Sequence, residues 1–190
     1  IKVIEMDAPD TFDGLSGIVG EQKPIIVLNK TFPVERKRFT AMHELGHLLL
    51  DFDESLHQKD MERFCNLFAN EMLISQDTFK KLLGVSRHDI SLNELRAIQS
   101  NFGISVDAQM FKANQLNIIS DSRYKYFCIT KNQNSAFKEQ VEKSTYHEEL
   151  STRFASLVYR ALASELITYS KASVLLNESI DVVREQLELV

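Results

Sequence analysis

Two imidazoles and a carboxylate stand within five residues, His43, Glu44 and His47, in the stretch FTAMHELGHLLLD at positions 39–51. Side chains four residues apart share one helix face, so His43 and His47 can offer ring nitrogens to one cation, at about 2 Å each. Glu44 sits about 100° round the helix, which puts its carboxylate beside the open coordination position instead of in it. There it can take a proton from water acidified by the cation. The chemistry this spacing predicts is metal-assisted hydrolysis of a peptide bond. The alternative is a buried helix whose histidines are satisfied by backbone or water and whose Glu44 is solvated, and it requires three such residues to coincide by chance. Gly46 costs a helix about 1 kcal/mol relative to Ala, a sign that something packs close to it.

A catalytic zinc site takes three protein ligands and keeps one position open. The next helix offers Glu62 and Glu71, nine residues and so about 180° apart; one metal cannot use both. Glu62 lies at the edge of the apolar stripe formed by Met61, Phe64, Cys65, Phe68 and Met72, in line with Asn66, Ala69 and Leu73, and is favoured. Asn66, one turn on, could donate a hydrogen bond that orients the ligands. Glu71 reads as solvated, and Asp51, Asp53, Glu54 and His57 in the intervening loop remain as other candidates. His57, His88 and His147, each alone in polar surroundings, read as exposed.

The elements that must position these groups follow from periodicity. IKVIEM and LSGIVGEQKPIIVLN are β-type runs, the second divided at Gly20–Pro24 as a hairpin would be. Pro33 then precedes a helix over 36–51, and a second helix covers 60–74. Helical segments continue through 76–116, with Gly103 closing one helix and Ser105 capping the next. RYKYFCIT reads as a strand and KNQNSAFKEQVEKSTYHE as a polar connection; the remainder to Val190 reads as helix. The expected fold is α+β: a mainly helical domain over 1–130 with a small antiparallel sheet at its N-terminus, then a helical region over 131–190.

The totals narrow the function. Across 190 residues, 27 Asp and Glu face 22 Lys and Arg, which argues against a broad nucleic-acid surface. Two helix-turn-helix-like stretches, LRAIQSNFGISVDAQMFKANQL and ITYSKASVLLNESIDVVREQL, carry few basic residues and read better as packing. Cys65 and Cys128 lack the paired spacing of a disulfide or thiolate-zinc framework, so a reducing cytoplasm is expected. No apolar run has membrane-spanning length. The chain opens on Ile1 instead of Met, which leaves room for sequence upstream.

FTAMHELGHLLLDF followed by ERFCNLFANEMLIS resembles the ImmA/IrrE family of zinc metallopeptidases, and KPIIVLNKTFPVERKRFT and SLNELRAIQSNFGISVDAQMFKANQLNIISDSRYKYF are similar to the segments flanking those helices. The resemblance implies His43, His47 and Glu62 as ligands of one Zn2+ per chain, Glu44 as general base, and a transcriptional repressor as substrate. Longer members carry a helix-turn-helix domain upstream, so a rival expectation is a regulator or antitoxin-type binding module with little proteolysis. The C-terminal helices are the expected docking surface for a partner or a second copy. Cys65 and Phe64, where small or acidic residues are common, and Ser75, where Pro is, depart from the family pattern. Arg123, Tyr124 and Tyr126 are oxyanion-stabilising candidates by residue type alone.

Overall fold

The computed structural model describes residues 1–20, 22–53, 55–146 and 152–188. The chain divides into two compact units, Ile1–Glu148 and Glu149–Val190. Residue 130, where the sequence suggests a soft boundary, lies inside a helix of the first unit.

Three strands open the first unit: β1 (Lys2–Met6), β2 (Gly14–Val19) and β3 (Lys23–Asn29), in the order β1-β3-β2. The β2–β3 hairpin is antiparallel, with Leu15 opposite Val27. β1 instead runs parallel to β3, with Lys2 opposite Ile25, so the sheet is mixed where an antiparallel one is expected. The cause is the loop over 7–13, which carries the chain across to the far edge before the hairpin forms. Asn29 makes that crossing stable: fully buried, its Nδ2 donates to the carbonyls of Ala8, Pro9 and Phe12. These bonds tie the loop to the end of β3.

Ile26 and Leu28 are the buried apolar residues of the described strands, and the sheet lies against α1 (Val34–Leu49). A Cβ on Gly14 would sit 2.7 Å from Thr40 Cγ2 and 2.8 Å from Val27 O; β2 approaches α1 that closely only because Gly14 has none. After α2 (Gln58–Leu73) come α3 (Gln76–Leu83), α4 (Leu92–Phe102) and α5 (Val106–Gln115). As expected, Gly103 ends α4 in the left-handed conformation and the Ser105 side chain accepts from the Ala108 amide to start α5. Phe79, Leu83, Leu95, Ile104, Val106 and Met110 are buried together as the core of this part, which accounts for the first helix-turn-helix-like stretch as packing.

The stretch read as a strand is helical. α6 (Asp121–Gln133) starts at Ser120, whose side chain accepts from the Arg123 amide, and sends Tyr124, Phe127 and Cys128 into the core. Those positions, three and four apart, are a helical stripe within a run of strand-prone residue types. The supposed polar connection contains α7 (Ser135–Glu142), capped by Asn134 through the Phe137 amide and anchored by buried Val141. Beyond it, buried Glu35 on α1 accepts from Gln99 Nε2, Ser144 Oγ and the Thr145 amide. The second unit holds α8 (Arg153–Ala163), α9 (Tyr169–Leu176) and α10 (Ile180–Glu188) around a small core of Val158, Leu162, Ala172 and Val183. No described helix is long and apolar enough to cross a membrane.

One buried cation closes α2. Lys112 on α5 donates from Nζ to the carbonyls of Asn70 and Ile74 and to the Glu71 carboxylate, meeting the acceptors that a helix C-terminus leaves open. Burial pushes its ammonium down in pKa, against the pull of Glu71. For Glu71, burial pushes up, but the Gln76 amide and Lys112 outweigh it and hold the carboxyl below its ordinary 4.5. A depressed carboxyl adds stability at neutral pH that is lost on acidification through that range. Lys112→Met, which takes the ammonium from the Asn70 and Ile74 carbonyls, should lower the stability of the first unit by about 2 kcal/mol in urea unfolding.

Candidate metal centre

α1 and α2 meet at Gly46. A Cβ there would lie 3.3 Å from Cys65 Cα, Cys65 Sγ and Phe68 Cδ1, the close packing that a glycine inside this helix signals. Cys65 is small enough to fit beneath it and is fully buried. Burial, with Glu62 and Glu44 nearby, pushes its thiol up to about 11, so it stays protonated and unreactive. Seating Cys65 and Phe68 on α1 turns the buried side of α2 toward Cys65, Ala69 and Asn70 and leaves Phe64 and Met72 about half exposed. The apolar stripe is therefore rotated from the one the sequence suggests, in the sense that brings Glu62 under α1.

Three donor groups converge there. His43 Nε2 and His47 Nε2 are 3.1 Å apart; Glu62 Oε2 is 3.0 Å from the first and Glu62 Oε1 3.6 Å from the second. Two bonds of about 2.0–2.1 Å at tetrahedral angles put their donor atoms about 3.3 Å apart. The three separations bracket that value, so the residues fit a small divalent cation. His43 Nδ1 lies 2.9 Å from Asn66 Oδ1, an oxygen that only accepts; the ring must donate from Nδ1 and, when neutral, keeps its lone pair on Nε2. The sequence suggests Asn66 as a donor, whereas it accepts from the histidine directly. Among the described residues no other group of three metal-binding side chains comes together.

None of the other described ligand candidates joins this cluster. Glu71 is exposed and taken by the Gln76 amide and Lys112. The Asp53 carboxylate is held low by the Ser55 side chain and amide, Asp51 is exposed, and His57 is exposed at the start of α2. Glu54 and His147 lie outside the described residues. Of the oxyanion candidates, Arg123 pairs with Asp89 and Tyr126 is well exposed. Tyr124 lines a cleft of about 620 Å³ that Glu62 and Asn66 also line. Burial, then Cys128 and Asp107, push its phenol up to about 12, which keeps it a proton donor at all ordinary pH.

Glu44 lies on the sheet side of the cluster, where Ser16 Oγ on β2 donates to its Oε2 at 2.7 Å. One carboxylate oxygen is thus occupied, and the group is steered by the strand that Gly14 lets in close. Sequence reasoning misses Ser16, since nothing in its spacing links a strand serine to a helix twenty-eight residues later.

The sequence model of the IrrE N-terminal-like domain of M78 peptidases matches residues 1–114. The chain belongs to the M78 peptidase family. No protein of a curated set matches it. Residues 1–114 reach from β1 into α5 and include His43, Glu44, His47, Glu62 and Asn66, so the M78 assignment and the geometry converge on one metallopeptidase-type domain with a protein as the class of substrate.

If the cluster is a metal site, Glu62→Ala should lower zinc affinity strongly, Asn66→Ala about 10- to 100-fold, and Glu71→Ala hardly at all, by competition against a chromophoric chelator. Metal loss in Glu71→Ala with retention in Glu62→Ala would reverse the assignment.

Proposed function

We propose that this protein is a cytoplasmic zinc-dependent endopeptidase whose substrate is a transcriptional repressor. The observation that carries the peptidase reading is the convergence of His43 Nε2, His47 Nε2 and the Glu62 carboxylate, on a helix whose Glu44 accepts a hydrogen bond from Ser16. The repressor as substrate rests on the resemblance to the ImmA/IrrE family.

His43, His47 and Glu62 would hold the ion, and Asn66 keeps the His43 ring in the tautomer that binding requires. When bound, the ion supplies Lewis acidity that polarises the scissile carbonyl and brings the pKa of water near neutrality. The protein's own contribution is proton handling. With Oε2 of Glu44 accepting from Ser16, the carboxylate would take the proton of the attacking water on Oε1 and pass it to the leaving amine. Tyr124, whose ring lines the cleft that Glu62 also lines, would donate to the carbonyl oxygen as charge develops on it.

Glu44→Gln should keep its zinc, measured by elemental analysis, while cleavage of candidate repressors in the same cell falls by about 10²- to 10⁴-fold. Undiminished cleavage in Glu44→Gln would sink the mechanism. A chain that binds both zinc and the repressor but never cuts it would point to a binding module.

A further inference from the structure

Beside Glu62 the surface opens into a cleft of about 620 Å³ whose walls are mostly carbon. Phe39 comes from α1, Leu67 from α2, Ala108 and Phe111 from α5 and Tyr124 from α6, and the Phe111 and Tyr124 rings stand 6.1 Å apart. Leu67 and Phe111 are each more than a third exposed, so the walls hold apolar surface that a ligand could cover.

The cleft starts at the metal-binding donors. Glu62 belongs to its lining, and the Phe39 ring lies 6.5 Å from that of His43, centroid to centroid. Leu67 is five residues along α2 from Glu62, about 7.5 Å of axial distance, and apolar contact needs heavy atoms within about 4.0–4.5 Å. From a backbone seated at the donors, a leucine, methionine or phenylalanine closes that distance and an alanine does not.

Charge does not select the occupant. Lys59 and Arg63 share the lining with Glu62 and Asp107, and Asp107 shares Lys131 with Glu142, so both signs are present and neither prevails. What the walls offer is apolar area. We infer that this cleft takes a large apolar side chain of the substrate, that of the residue next to the bond that is cut. Tyr124 lies beyond the residues that match the M78 model, so the helix that follows the family domain helps to set the preference. The inference rests on the peptidase reading in taking the ligand to be a peptide and the donors to be where it is cut.

Binding can be measured without turnover on the full chain carrying Glu44→Gln, loaded with zinc. The probes are fluorescein-labelled ten-residue alanine-glycine peptides whose central residue is Phe, Trp, Glu or Ala, read by fluorescence anisotropy. The Phe peptide should bind about tenfold more tightly than the Ala peptide, as burial of one aromatic side chain requires. Leu67→Lys should place the Glu peptide above the Phe peptide, and Tyr124→Ala, which widens the wall, should place Trp above Phe; each is a gain that only a folded chain can show. Equal affinity for Phe and Ala overturns the inference, and that comparison needs no substitution in the cleft. A Phe preference that survives unchanged in both variants overturns it too, because the side chain then lies elsewhere. The unsubstituted chain should cut the Phe peptide beside Phe, and moving Phe along the peptide should move the cut with it; a cut that stays in place overturns the assignment. If Phe is preferred and Leu67→Lys reverses the order, but the chain cuts neither peptide nor repressor, the cleft stands and the peptidase reading falls. If the chain cuts without the preference, the peptidase reading stands and the apolar cleft falls.

Discussion

The contact between α1 and α2 at Gly46 governs the rest of the site. Two helices carrying ordinary side chains pack about 8–10 Å apart, and the backbone of Cys65 comes within van der Waals range of a missing Cβ only because Gly46 has none. That approach lets Glu62 on one helix reach the Nε2 atoms of two histidines on the other, and lets Asn66, a turn later, touch the outer nitrogen of His43. A larger residue at either position would push Glu62 and Asn66 on α2 away from the two histidines on α1. The favourable helix propensity of alanine is therefore set aside here for proximity.

The same proximity concentrates negative charge. Glu44 and Glu62 both act on the Cys65 thiol from nearby, and neither pairs with a lysine or arginine among the described residues. Elsewhere in the first unit, partly buried carboxylates and cations do pair, as at Lys37 with Glu5 and Lys131 with Asp107 and Glu142. The contrast separates groups that stabilise the fold from groups that remain available to bind something else.

Much of this is legible in the sequence, for identifiable reasons. His43, Glu44 and His47 are read from spacing because one helix presents all three, and the opposition of Glu62 and Glu71 follows from 100° per residue. The caps at Ser105 and Gly103 are local and equally readable. Ser16 is not, since its partner is far away in sequence; the parallel pairing of β1 is not, since it depends on Asn29 holding a loop that precedes it. α6 reads as a strand when residue type is weighed above the spacing of Tyr124, Phe127 and Cys128, which is helical. The cleft residues come from three separate helices besides α1, and no pattern along the chain marks them as neighbours.

The family match ends at residue 114, within α5, but the packing does not. Ile118, Ile119, Phe127 and Val141 belong to the same apolar core as Phe79 and Met110, and the carboxylate of Glu35, buried in the first turn of the histidine-bearing helix, is satisfied by Ser144 and Thr145. A piece cut at the edge of the family match would carry His43, His47 and Glu62 yet expose the underside of its core and strip buried Glu35 of its Ser144 and Thr145 donors, leaving it Gln99 alone. The portable module, the smallest segment that could be grafted elsewhere with its chemistry intact, is thus longer than the recognisable one by some thirty residues.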